Sequence, residues 1–461
     1  VVNKHHFTTW QYNVARELLM NSAITDEAQE PVPEGKIALD QIPFGPFHFK
    51  VTMMTFGANF SDGYALGIIG SALPLLSQQW HVDGFWQGML ASSALIGLFF
   101  GSLILGRISD RIGRQRVYVL NFILIAAASL AQFWAPNVET IFVLRLLIGF
   151  GLGADYAVGP TLLSEFAPRK SRGLMLSSLT VLWTVGYVIA NVIGAYVNVG
   201  PDTWRWLLAS GFIPALFVLI VRIGSPESPG WLISRGRGDE AAAIAEKYLK
   251  TGNIFIPTAH VEEKSSYREL FSPALRKSTW FGILFYSCQV LPYFAIYTFV
   301  YTILEAMKVS DANLQNLLIN IFLLAGGVAG LWAIVRFPRK AFTFWTFVIM
   351  TVMLALLGLL AEASPWLMLI PFVVYSFVMS AASNITQVYP PELFPTHLRG
   401  SGVGLLNATS RIGSAIGTFL LPISLEKWGV SVSMYWLAGV LALGALVTWL
   451  WAPKTEGKRL V

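Results

Sequence analysis

Four ionisable residues stand inside long apolar stretches of this chain: Asp62, Arg145, Asp155 and Arg411. A charge near the middle of a bilayer costs roughly 3 kcal/mol or more, so such a group faces the protein interior or a water-filled space and finds a partner there. Burial and a nearby cation act on a carboxyl group in opposite senses, and a change of surroundings then loads or releases a proton. Asp62 lies about 16 Å along its helix if that helix starts near Val51, close to mid-membrane. Asp155 lies about 15 Å beyond Arg145 on another helix. By depth Asp62 falls between them, and the spacing predicts a ladder of Arg145, Asp62 and Asp155 that handles a proton. The plainer alternatives are a fixed salt bridge from Asp62 to the fourth span, and an Asp155 that only ties helix ends together.

Arg411 sits within Asn407-Ala-Thr-Ser-Arg411-Ile-Gly413, again near mid-membrane. Its planar fork suits a carboxylate held by two hydrogen bonds, supplied by an anionic ligand or by the protein itself. Asn407 stands one turn below on the same face. Trp183, Tyr187 and Asn191 follow at i, i+4 and i+8 and form one stripe. Gln289 and Tyr293, Asn320, and the pair Asn384 and Gln387 are further uncharged hydrogen-bonding groups at membrane depth. Singly each reads as glue between helices, and together they suit a small polar or polyhydroxylated solute.

The elements that must hold these residues are membrane helices. The 461 residues are 55% hydrophobic and only 13% charged, too apolar for one aqueous core. Apolar segments long enough to cross a bilayer are predicted at 51–76, 88–106, 117–134, 139–162, 173–197, 205–224, 278–305, 313–335, 341–361, 365–389, 401–422 and 432–452. Arg107, Arg111, Arg114 and Arg116 follow the second, Arg169, Lys170 and Arg172 the fourth, and Arg336, Arg339 and Lys340 the eighth. The loops at 136–139 and 362–365 hold neither Lys nor Arg, which predicts cytoplasmic termini and a multi-pass protein of the cell membrane. The first 50 residues are polar and acidic, without the basic start and short apolar core of a cleaved signal, so the first span is expected to serve as signal. They read as a cytoplasmic segment, 51–224 and 278–452 as two six-helix bundles, 225–277 as a cytoplasmic linker with a surface helix over 237–250, and 453–461 as a cytoplasmic tail.

The two bundles repeat. Glu165, Pro168, Arg172 and Gly173 match Glu392, Pro395, Arg399 and Gly400 at an offset of 392 − 165 = 227, and Pro226 and Pro453 repeat that offset. A parallel repeat of six-helix halves is a known architecture of secondary transporters. The single cysteine, Cys288, excludes an internal disulfide and a thiolate cluster and reads as a packing residue. The net charge of +6 sits in short loops rather than in a basic run interleaved with aromatics, so no nucleic-acid partner is expected. No nucleophile-and-base set, phosphate loop or metal-ligand cluster stands out, so neither an enzyme nor a cofactor is expected.

Gly106, Asp110, Arg111, Gly113 and Arg114 spell G-x-x-x-D-R-x-G-R, and Arg145, Gly149, Gly151, Gly153 and the run Pro226-Glu227-Ser228-Pro229 add two further motifs. In these the chain resembles the major facilitator superfamily from about Asp40 to Leu460. The resemblance implies an all-α integral membrane fold of 12 transmembrane helices in two pseudo-symmetric six-helix bundles, working as a monomer by alternating access on a small solute in the lipid bilayer. It also implies a cytoplasmic gate built from Gly106, Asp110, Arg111, Arg114, Glu165, Arg172, Glu227, Glu392 and Arg399, whose ion pairs join the halves when the outer side is open and part when the inner side is open. Asp62-Gly63-Tyr64 and Gly153-Ala154-Asp155-Tyr156 look like the branches that include aromatic-acid/proton symporters, phosphate symporters, niacin carriers, organic-ion carriers and synaptic-vesicle-glycoprotein-like proteins. Sugar porters keep an acid where Ala65 stands, and Gln289, Tyr293 and Gln387 depart from their pattern in helices 7 and 10. With Arg411, these departures favour proton-coupled symport of a carboxylate-bearing solute. A sugar or polyol carrier is the alternative, and a non-transporting receptor on the same fold is the reading from another class.

Overall fold

The computed structural model describes residues 37–38, 45–166, 169–228, 231–232, 235–249, 254–255, 267–306, 312–361, 365–394 and 396–453. Helix α1 (Pro46–Trp80) opens on a proline at its first turn and ends at His81, the one described non-glycine residue with positive φ. Helix α2 (Gly84–Ile112) is capped by the Asp83 side chain, which accepts the Trp86 N–H at 3.0 Å. There follow α3 (Arg114–Ala131), α4 (Val138–Phe166) and α5 (Arg169–Tyr196), and the sixth span is divided at Gly211 into α6 (Thr203–Ser210) and α7 (Phe212–Arg222). The second half comprises α9 (Arg276–Thr298), α10 (Val300–Ala306), α11 (Ala312–Arg336), α12 (Arg339–Leu359), α13 (Pro365–Ser383), α14 (Ile385–Glu392) and α15 (Thr396–Trp451). Helix α15 folds back at Gly429, whose φ of 76° glycine adopts without a Cβ penalty.

Among the described residues, ten helical runs are long and apolar enough to cross a membrane. One of them, Ser401–Trp451, is two spans joined at Gly429, and α1 with its embedded Asp62 completes the twelve. This is an all-α, multi-pass membrane fold of two pseudo-symmetric halves. Its outer surface exposes Trp332, Trp345, Leu359, Trp366 and Ile370, a distribution that only lipid makes favourable.

Close packing fixes where the charged residues sit. A Cβ on Gly63 would strike the Trp183 carbonyl of α5, and one on Gly186 would strike the Phe60 carbonyl of α1, so the two backbones touch and Asp62 is held beside α5. Across the halves α2 packs on α15 and α5 on α11. The end bearing Arg107, Arg111 and Arg114 is called here the basic end, and the opposite one the far end.

On the linker, α8 (Gly238–Leu249) matches the expected surface helix and buries Ala241. Its first turn is tied by Arg237, whose Nε donates to Glu240 at 2.6 Å and whose guanidinium holds that carboxyl below the usual carboxylate range. Both groups lie in open solvent, so the pair orients the turn more than it stabilises the protein. Two short strands, β1 (Ile37–Ala38) and β2 (Ile254–Phe255), pair in parallel and join the segment before α1 to the linker.

Candidate functional site

Asp62 of α1 and Asp155 of α4 are each 1% exposed and meet carboxyl to carboxyl. Neither oxygen of Asp62 has a hydrogen-bond partner among the described residues. Two like charges about 4 Å apart repel by about 4 kcal/mol at the effective dielectric of a protein interior. Arg411, from α15 in the other half, is near enough to act on Asp62 electrostatically, but no ion pair joins the two among the described residues. Its guanidinium lies 4.9 Å from the ring centre of Tyr156 and 5.8 Å from that of Phe294. An acid pair from the first half thus lies in the field of a cation from the second, with aromatic rings under that cation.

The ladder through Arg145 is not formed. Arg145 is buried within the first half, its Nε and Nη2 lack hydrogen-bond partners, and no ion pair links it to Asp62 among the described residues. Depth along α4 brings Arg145 and Asp155 to either side of Asp62, but ten residues at about 100° each rotate the two side chains about 80° apart. The alternative of a fixed salt bridge from Asp62 to α4 is likewise not what the helix provides, because the facing group there is a carboxyl.

Beside the acid pair lies a cluster of aromatic and uncharged polar groups that spans both halves. Trp183 stacks on Tyr187 at 5.8 Å and meets Tyr293 at 6.0 Å and Phe294 at 6.1 Å. Gln289 puts its amide nitrogen 3.2 Å from the Met379 sulfur and leaves its carbonyl oxygen bare. Trp183 Nε1 and the Tyr375 hydroxyl are also buried without partners. Each such atom costs about 1–3 kcal/mol if nothing fills its hydrogen-bonding capacity.

Other residues singled out by sequence are placed elsewhere. Asn384 donates to the Gly327 carbonyl at 2.9 Å and binds the α13/α14 joint to α11, which makes it glue between helices. Gln387, one turn past that joint, is exposed and makes no described contact with the cluster. Asn320 donates to Asn316 on its own helix, and Asn191 to the Tyr187 carbonyl. Asn407 lines a separate cavity of 460 Å³ at the basic end, bounded also by Gly106, Arg107, Arg114 and Tyr156. Tyr156 belongs both to this cavity and to the ring set under Arg411, so the cavity reaches from the basic end to the charged centre.

The far end is closed by a latch at a helix break. The seventh span parts at Phe299, between α9 and α10, and the Tyr297 carbonyl accepts the Tyr187 hydroxyl at 2.6 Å. In return Tyr301 donates to the Asn191 carbonyl at 3.4 Å. Each bond crosses from one half to the other. Above the latch opens a vestibule of 870 Å³ lined by Ser71, Gln78, Asn198, Tyr301, Glu305 and Asn313. Tyr297 and Tyr301 extend Tyr293 at i, i+4 and i+8, the same stripe spacing as Trp183, Tyr187 and Asn191, and that signal was open to sequence reasoning that named only Tyr293.

At the basic end, the described contacts of the gate residues stay within one half. Glu227 accepts the Gln115 N–H at 2.9 Å in the first turn of α3, and Glu392 pairs with Arg339 at 3.4 Å. Arg111 is exposed, and its carbonyl faces Arg235 Nη2 at 3.5 Å. Gly106 and Arg114 line the basic-end cavity, while the side chains of Asp110, Glu165, Arg172 and Arg399 lie outside the described residues.

Known proteins match this arrangement along nearly the whole chain. The family model described as "Sugar (and other) transporter" matches residues 50–461. The inner membrane metabolite transport protein YgcS of Escherichia coli (strain K12) is 42% identical over 430 residues, 92% of this chain and 96% of its own. The major myo-inositol transporter IolT of Bacillus subtilis (strain 168) is 27% identical over 442 residues, 89% of this chain and 92% of its own. Among solved structures, the partially occluded inward-open conformation of the xylose transporter XylE from E. coli superposes with a TM-score of 0.76 at 20% identity, covering 90% of this chain and all of that one. At that identity the likeness is one of fold.

Proposed function

The chain belongs to the sugar (and other) transporter family of the major facilitator superfamily and is a secondary active transporter of a small solute; we propose that the solute is a neutral sugar or polyol and that it crosses together with a proton. The observation that carries the solute class is the set of bare, uncharged hydrogen-bonding atoms on Trp183, Gln289 and Tyr375, which lie among stacked rings contributed by both halves. Hydroxyl groups of a polyhydroxylated molecule satisfy such atoms, and its C–H faces pack on the rings. The myo-inositol transporter IolT supports the same class by its named solute.

Arg411 is why a carboxylate-bearing solute stands as a second reading. That guanidinium already lies over the Tyr156 and Phe294 rings and in the field of Asp62, so its charge has partners inside the protein, and the neutral class is preferred. For the proton, the facing carboxyls of Asp62 and Asp155 support a pair that shares one, since two bare charges in contact are mutually repelled. With the basic end taken as cytoplasmic, the closed latch and the open basic-end cavity correspond to an inward-facing state.

Thermal shift of the purified protein against sugars, polyols, aromatic acids and organic cations, repeated on Arg411→Ala, tests the solute class. Sugars or polyols are expected to stabilise both proteins. Stabilisation by carboxylates alone, lost in Arg411→Ala, would replace this reading with the second one.

A further inference from the structure

The acid pair has a second set of neighbours, inside the first half and away from the plane where the halves meet. Tyr118 of α3 is fully buried and Arg222 at the end of α7 is 2% exposed, with its guanidinium flat on the tyrosine ring at 3.0 Å from the ring centre. Nε, Nη1 and Nη2 of Arg222 all lack hydrogen-bond partners among the described residues, and so do the Tyr118 hydroxyl and Oδ1 of Asp155. On one side Asn121, one turn after Tyr118, donates to the Gly151 carbonyl at 3.1 Å, one turn before Asp155, so α3 brings Tyr118 to the level of the acid pair. On the other side Glu227, five residues after Arg222, is the half-buried carboxylate that receives the Gln115 N–H at the basic end. Gln115 lies one turn before Tyr118 on α3, and its side-chain oxygen is also bare.

Bare polar atoms clustered in a protein interior are the places where ordered water is held. We propose that this cluster is a hydrated proton path through the first half, running from Asp62 and Asp155 past Tyr118 and Arg222 to Glu227 at the basic surface, separate from the space the solute crosses. It rests on the proton-coupled reading above and adds to it the route and the residues.

Each step breaks one O–H bond and forms one. The Asp62 acid passes its proton to the Asp155 carboxylate. Asp155 passes it to the Tyr118 oxygen as the tyrosine's own proton leaves to a water molecule, so the tyrosine stays neutral. Water carries the proton to Glu227 and the bulk, and nothing is oxidised or reduced. Arg222 transfers no proton; its fixed charge stabilises the carboxylate left at Asp155 after release, and Arg411 does the same for Asp62 from across the interface. Among the described residues, the remaining titratable group beside the pair is Tyr156, whose ring lies under Arg411.

The route is tested without a solute, by infrared detection of buried carboxylic acid exchanging with D2O in the reconstituted full-length protein. The band is assigned by its loss in Asp62→Asn. Tyr118→Phe keeps the ring and removes only the hydroxyl, and it is expected to slow the exchange at least tenfold, with Glu227→Gln slowing it as well. Gly404 lines the cavity between the halves and a Cβ there would meet open space, so Gly404→Trp obstructs that cavity. It is expected to leave the exchange rate unchanged. Exchange at the wild-type rate in Tyr118→Phe, or exchange slowed by Gly404→Trp, overturns the path. A wild-type protein with no acid band removed by Asp62→Asn overturns the proton-coupled reading itself, and the path with it.

Discussion

Two carboxyl groups pressed together in an apolar interior are a poor way to stabilise a protein, and a good way to hold a proton. Removing one charge from the Asp62/Asp155 pair relieves repulsion of the order of 4 kcal/mol at full ionisation, less whatever a shared proton already relieves. Asp155→Asn is therefore expected to melt at or above the wild-type temperature while losing proton-driven uptake; a lowered melting temperature with uptake intact would show that the contact is structural. Asp62 and Arg411 could be found in the sequence because a charge at membrane depth demands a partner. What could not be read was azimuth. Arg145 has a suitable depth and points about 80° away from Asp155, and Gln387 falls on the exposed face of its helix.

At the scale of helices, a break at Phe299 divides the buried seventh span. It lies where a continuous span over 278–305 was expected, and the carbonyl of Tyr297, just before the break, serves as acceptor for a hydroxyl from the other half. Each latch bond contributes about 1 kcal/mol, so removing both hydroxyls shifts the balance between closed and open far ends by about tenfold to thirtyfold. Spin labels at Asn198→Cys and Asn313→Cys, one on each side of the vestibule in a Cys288→Ser background, would report this. Tyr187→Phe with Tyr301→Phe is expected to increase the long-distance population, and an unchanged distribution would mean that the latch carries no free energy. The seam between α1 and α5 is less forgiving. Gly186→Leu forces a side chain into the Phe60 carbonyl and is expected to cost more than about 3 kcal/mol, seen as loss of monodisperse protein on detergent extraction. Span positions, basic loops and the 227-residue repeat were all legible, because bilayer thickness and charge asymmetry act on sequence directly. The helix breaks were not, since they are set by packing across the halves.

For the whole molecule, the two halves meet differently at their two ends. At the far end Tyr187 and Tyr301 bridge them, while at the basic end Glu227 receives the Gln115 N–H, Glu392 pairs with Arg339 and a cavity runs in to Tyr156. Rocking one half on the other would open the latch, close that cavity and move Arg411 relative to the acid pair, so solute and proton access change in one motion. The resemblance read from the loop motifs implied the two-halved membrane fold and left the choice of solute resting on one arginine. That arginine lies over the Tyr156 and Phe294 rings of the protein. In the proposed function, solute movement and protonation of Asp62 are one event. Liposomes containing the protein and a trapped pH dye, given an inward gradient of the sugar or polyol that stabilises it best, measure this directly. Acidification of the interior is expected in the wild type, with none in Asp62→Asn even though that variant still exchanges labelled solute. An equal pH change in both proteins, or solute uptake without any pH change in the wild type, would contradict it.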